Sequence, residues 1–85
     1  MEITDRTYLW EVERESVNHF ELEARYDARK SFYGKANVYA MKDGSFVLVS
    51  YSTPVAICKN GVVTRFGKWS QTTTRHQNEF EKQFN

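Results

Sequence analysis

Val38-Tyr39-Ala40-Met41-Lys42-Asp43-Gly44-Ser45-Phe46-Val47-Leu48-Val49 is the stretch that decides the fold. Two β-prone runs flank an Asp-Gly dipeptide. Both residues of such a dipeptide tolerate positive φ, and this makes it one of the strongest local hairpin signals. The device recurs at Asn60-Gly61, between Val55-Ala56-Ile57-Cys58 and Val62-Val63-Thr64-Arg65-Phe66. Together the two turns predict a three- to four-stranded antiparallel meander over about Ala36 to Phe66.

Pro54 has no N–H to give to a ladder and belongs at a strand start, a bulge or an edge. Phe46–Ser52 and Pro54–Lys59 therefore read as two strands, or as one strand with a kink. Alternation points Phe46, Leu48 and Ser50 one way and Val47, Val49 and Tyr51 the other. Both rows are largely apolar, so this strand is expected at the centre of the sheet, covered on both sides.

Beyond Phe66, Gly67 and Lys68 end the sheet, and Trp69 to Asn85 read as a helix. Ser70 and Thr72-Thr73-Thr74 are N-cap candidates, and Thr74 with Gln77 fits a capping box. Phe80 and Phe84 are i, i+4 neighbours, with Thr73, His76 and Gln77 on the same face. That stripe is expected to dock on the sheet, with His76 packed next to Phe80.

The front of the chain is more ambiguous. Val17, Phe20, Ala24 and Ala28 recur at helical spacing, while Phe20, Leu22, Ala24, Tyr26 and Ala28 alternate at period two. The Ala-Arg-Tyr-Asp-Ala-Arg-Lys composition favours a helix over Ser16–Ser31, with Glu21/Arg25 as an i, i+4 pair. Thr7–Val12 fits a short strand or a first helical turn equally well. The predicted class is thus α+β: an N-terminal helical segment, the meander, and a C-terminal helix packed on one face.

Eighty-five residues make a single small domain, 1–85. It divides into an acidic front segment, 1–30, and the meander plus helix, 31–85. Thirteen aromatic residues supply large burial and exclude a disordered body. The lone cysteine, Cys58, excludes an intrachain disulfide and a multi-cysteine zinc site. It suits a reducing compartment. The opening Met-Glu-Ile-Thr-Asp lacks the pattern of a signal peptide, and no stretch is long and apolar enough to span a membrane. A cytoplasmic protein with no membrane association is expected.

Residues 1–30 carry eight acids against five bases, and residues 31–76 carry six bases against one acid, so the front is −3 and the middle +5. Such asymmetry marks either a basic binding face or two halves that pack together and neutralise each other.

Few residues suggest catalysis. The two histidines, His19 and His76, lack metal-ligand spacing, and the four glycines are isolated, so neither a phosphate loop nor a dinucleotide fingerprint is present. Cys58 lies in an apolar run and reads as a core residue. No cofactor, no metal and no enzymatic activity are expected. Enzymatic chemistry would require a cleft uniting His76, Cys58 or a carboxylate pair. Thr72-Thr73-Thr74-Arg75-His76 at a helix start would suit an anion or would serve the fold alone. Lys35, Lys42, Lys59, Arg65, Lys68 and Arg75, interleaved with Tyr33, Tyr39, Phe66 and Trp69, would suit nucleic acid.

Three blocks carry a family resemblance: Lys30-Ser31-Phe32-Tyr33-Gly34-Lys35-Ala36, Ser50-Tyr51-Ser52-Thr53-Pro54-Val55-Ala56, and Thr72-Thr73-Thr74-Arg75-His76 followed by Phe80. Over about residues 30–84 the chain resembles an uncharacterised family of small proteins encoded by bacteriophages, prophages and plasmids. The resemblance implies a mobile-element protein acting inside a bacterial cell, and it carries over no catalytic residue. By analogy with small phage proteins, the expected role is non-enzymatic protein–protein binding. That would include inhibition of a host defence system in the anti-CRISPR manner, with a nucleic-acid-handling defence complex as one partner. The alternative is a small nucleic-acid-binding accessory protein, and a homodimer is compatible with either. Tyr, Trp and Arg most often dominate binding energy, so the candidate contact residues are Tyr33, Lys35, Tyr51, Lys68, Trp69 and Arg75.

Overall fold

The two Asx-Gly dipeptides close hairpins, but by different turns. In the computed structural model, which describes residues 2–28, 31–67 and 69–84, Asn60 and Gly61 both adopt positive φ, +54° and +77°. They join β4 (Thr53–Lys59) to β5 (Val62–Arg65). At Asp43-Gly44 only the glycine is left-handed, with φ +90°. Its N–H donates to the Met41 carbonyl (3.0 Å), and the Met41 N–H donates to the Ser45 carbonyl (2.8 Å). Asp43 instead accepts from the Ser45 N–H (2.9 Å) and Oγ (2.6 Å) through Oδ1. This longer turn joins β2 (Ala36–Met41) to β3 (Phe46–Ser50).

The four meander strands pair in sequence, and a fifth strand, β1 (Ser16–Glu21), adds to the β2 edge. The order is β1-β2-β3-β4-β5, antiparallel throughout, with β3 central. β1 corrects the helix expected over Ser16–Ser31. Pairing with β2 supplies the hydrogen bonds that helical propensity would otherwise have claimed, and context of this kind outweighs propensity. An edge strand has no need of a buried row: Val17 and Phe20 are exposed, and Val17 is the extra residue of a bulge between Ser16 and Asn18. Arg25 bonds Glu23 (3.3 Å) instead of completing a helical pair with Glu21.

Thr7–Val12 resolves into α1 (Leu9–Arg14), a short helix. The Glu11 carboxylate accepts from the Tyr8 N–H (2.8 Å) at its start. Its one buried residue, Val12, packs with Ile3, Tyr39, Met41, Val47 and Val49 on one face of the sheet. The opposite face of the sheet holds Ala36, Val38, Leu48, Val55, Ala56 and Cys58. There they meet Leu22, Phe32 and Phe80, and Phe80 belongs to α2 (Gln71–Phe84). The alternation read for β3 holds from Phe46 to Ser50, but Tyr51 lies in the β3–β4 turn rather than on a strand face.

α2 begins at Gln71, two residues after the expected start. The Thr73 N–H donates to Ser70 Oγ (3.4 Å), and the Thr74 N–H to the Ser70 carbonyl (3.0 Å), so Ser70 is the cap. The capping box expected at Thr74/Gln77 does not form, because Thr74 is already inside the helix. Gln77 Nε2 reaches down to the Val55 carbonyl (2.9 Å) instead. As the Phe80/Phe84 stripe indicates, Thr73, His76, Gln77 and Phe80 are buried against the sheet. His76 packs edge-on against Phe32, with ring centroids 4.6 Å apart.

The segment after β1 is tied to α2 by a buried carboxylate. Glu79, only 2% exposed, accepts from the N–H groups of Tyr26 (2.8 Å) and Asp27 (2.9 Å) through Oε1. Its Oε2 accepts from Gln83 Nε2, which also donates to the Glu23 carbonyl, both at 2.7 Å. No helix among the described residues is long and apolar enough to cross a membrane.

Candidate functional site

Two tight turns beside the N-terminal end of α2 place tyrosine where glycine or asparagine is the ordinary residue. In the turn entering β2, the Lys35 N–H donates to the Phe32 carbonyl (3.0 Å). Tyr33 and Gly34 there have φ of +54° and +75°. Three further bonds hold this turn. Tyr33 N–H donates to Ser31 Oγ (2.9 Å), Gly34 N–H to Glu21 Oε1 (2.9 Å), and Asn37 Nδ2 to the Gly34 carbonyl (3.1 Å). In the β3–β4 turn, Tyr51 has φ of +60°. Its N–H donates to the Lys35 carbonyl (2.7 Å), which fixes the two turns side by side.

Neither ring is spent on the core: Tyr33 is 75% and Tyr51 54% exposed. Both residues line a recess of about 200 Å³. Phe32 and His76 also line it, and both are buried. Lys35, Arg75 and the short side chains of Ser31 and Thr72 complete the lining. The Lys35 ammonium sits 5.9 Å from the Tyr51 ring centroid. Arg75 Nη1 bonds Asp27 Oδ1 at 3.2 Å.

The histidine beneath the recess is held from below. Ser50 Oγ lies 2.8 Å from His76 Nδ1 and 3.0 Å from Thr73 Oγ1, and all three residues are buried. This network joins β3 to α2. A serine with so little exposure does not present its hydroxyl to a substrate, so the pair reads as architecture. Cys58 donates to the Phe84 carbonyl (3.5 Å) at the other end of α2. Phe84 is eight residues from His76 along the helix, or about 12 Å, so Cys58 and His76 meet different ends of α2. No group of three metal-capable side chains occurs among the described residues.

Of the six candidate contact residues, the structure brings Tyr33, Lys35, Tyr51 and Arg75 to one recess. Lys68 lies outside the described residues. Trp69 lies elsewhere: its Nε1 donates to the Phe66 carbonyl. Its ring comes within 3.2 Å of where a Gly67 side chain would begin. It therefore closes the passage from sheet to helix. The three sequence blocks, distant along the chain, thus meet in space, each contributing at least one lining residue.

The basic residues of the middle segment do not gather on a single face. Lys42 and Lys59 line a recess of about 310 Å³ together with Glu2, Glu15 and Asp43. Arg65 pairs with Glu81 (3.2 Å) and Arg75 with Asp27. Among the described residues, Arg75–Asp27 is the ion pair that joins the acidic front to the basic middle. Sequence reasoning also passed over an exposed aromatic pair near α1. Tyr8 and Trp10 stack with centroids 6.4 Å apart, and Arg14 lies 5.2 Å from the Trp10 centroid. The Trp10/Arg14 i, i+4 spacing was the available signal.

The class these features define is a small α+β domain: a sequential five-stranded antiparallel sheet, a helix across one face, and an aromatic recess where helix and turns meet. Residues 20–85 match a family of unknown function, DUF8033, and the chain belongs to that family. The match starts within β1, takes in every described residue lining the tyrosine recess and leaves α1 outside. No curated protein and no solved structure matches the chain.

Proposed function

We propose that this protein is a non-enzymatic binding module that grips a partner protein with the rim formed by Tyr33 and Tyr51. One observation carries the reading. Two exposed aromatic rings stand on left-handed backbone at the mouth of the same recess. Backbone strain of this kind persists only where the surroundings enforce it, and it clusters at functional sites. Tyrosine beside Lys and Arg is also the composition of interface hot spots. Within this proposal belongs the mobile-element setting, in which the partner is a bacterial host protein and binding inhibits a host defence complex. The block resemblance supports that part.

The test is affinity capture from a bacterial host lysate with the native chain and with the Tyr33→Asn/Tyr51→Asn double variant. The expected result is a protein retained by the native chain and lost by the variant. Equal retention by both, or no specific retention by the native chain, would count against the reading.

A further inference from the structure

Resting on the binding-module reading, we infer that the recess takes an acidic side chain from an exposed segment of the partner protein. The carboxylate of a Glu or Asp sits between Lys35 and Arg75, and its neighbours in the partner chain lie on Tyr33 and Tyr51. The sign of the charge follows from the lining: two cations and no acid among its described residues. Lys35 forms no ion pair with any described carboxylate, and its ammonium lies against the Tyr51 ring. Arg75 gives one nitrogen, Nη1, to Asp27. A guanidinium carries five N–H donors in a planar fork, so donors remain for a second carboxylate. Thr72 belongs to the first turn of α2, where the partial positive charge of the helix adds to theirs.

Capacity selects the kind of ligand. A recess of about 200 Å³ falls below the roughly 300–1,000 Å³ of sites that enclose a whole small molecule. It accommodates a side chain. The two rings flanking it offer flat apolar surface to the residues on either side of that acid, in the manner of a hot spot ringed by contacts that exclude water. A nucleic-acid strand fits less well. Its backbone needs a track of cations. Here Lys42 and Lys59 lie in a different recess among acids, and Arg65 is held by Glu81.

A displayed library of random linear peptides tests the assignment, selected on the native chain and counter-selected on the Tyr33→Asn/Tyr51→Asn variant. Tyrosine-dependent binders should carry an enriched Asp or Glu. Changing that acid to its amide should weaken binding about tenfold, the scale of a charge-assisted hydrogen bond. Selection on Lys35→Glu should abolish the acid enrichment; Lys35 is exposed, and circular dichroism checks that the variant folds. Three results would overturn the inference while leaving the binding module intact. These are tyrosine-dependent binders without an acid, an acid enrichment that survives Lys35→Glu, or oligothymidylate binding through the same tyrosines more tightly than the selected peptides. Failure to recover any tyrosine-dependent binder would remove the binding-module reading, and this inference with it.

Discussion

Tyr33 and Tyr51 are the residues at which backbone preference and side-chain use pull apart. An aromatic residue at positive φ is destabilising, whereas asparagine enters that region readily. Neither ring gives much back through burial. Tyr33→Asn and Tyr51→Asn should therefore each hold stability or raise it by up to about 1 kcal/mol, as chemical denaturation would report. A clear loss in either variant would mean that the rings serve the fold rather than a partner. Asp43 offers a second measurement at this scale. The two bonds from Ser45 hold its carboxyl below the usual range. A carboxyl with a lowered folded pKa adds stability above its unfolded pKa, and that stability is lost as pH falls through the folded value. Asp43→Asn should lower stability slightly at neutral pH, by well under ~1 kcal/mol for so exposed a group, and the difference, read by chemical denaturation, should vanish in acid. The sequence named both tyrosines as candidate contact residues. It could not show their strain, because Tyr33 and Tyr51 carry no turn signature of the Asn-Gly kind.

At the scale of elements, α2 was legible and β1 was not, for one physical reason. The helix buries a periodic stripe, Thr73, His76, Gln77 and Phe80, and periodicity is what burial writes into sequence. β1 is an edge strand with five of its six residues exposed, so nothing forced a period on it. Its identity comes from the β2 edge it pairs with. The segment that follows it is equally silent, because its anchor lies in another element. Glu79 satisfies the Tyr26 and Asp27 N–H groups from across the core. Glu79→Ala strands both donors and should cost roughly 2–4 kcal/mol. Hydrogen exchange should locate the damage, with the Tyr26 and Asp27 amides losing protection before those of β3. Uniform loss across the sheet would show that the anchor is not local.

Over the whole molecule, the sheet separates two cores. One joins α2 to the sheet and ends at the recess. The other seals the reverse face with Ile3 and Val12. The front segment is therefore structural in part: it caps a sheet face that would otherwise expose Val47 and Val49. Val12→Ala should cost about 2–3 kcal/mol, from two lost methyl groups and the space they leave. Affinity for a peptide selected on the recess should be unchanged, because the sheet stands between the two sites. A matching fall in affinity would show that the faces are coupled. The charge asymmetry visible in the sequence does not become one basic face: Arg65 and Arg75 find Glu81 and Asp27 from distant segments, and a linear reading has no access to those pairings.

The tyrosine turns also bear on how this chain changes over generations. A single base substitution converts either tyrosine codon to an asparagine codon. At Tyr33 and Tyr51 that substitution meets no barrier from folding, since the backbone there suits asparagine better. Mutation alone would erode both rings quickly. Lineages in which both tyrosines persist are lineages in which selection acts on the rings themselves.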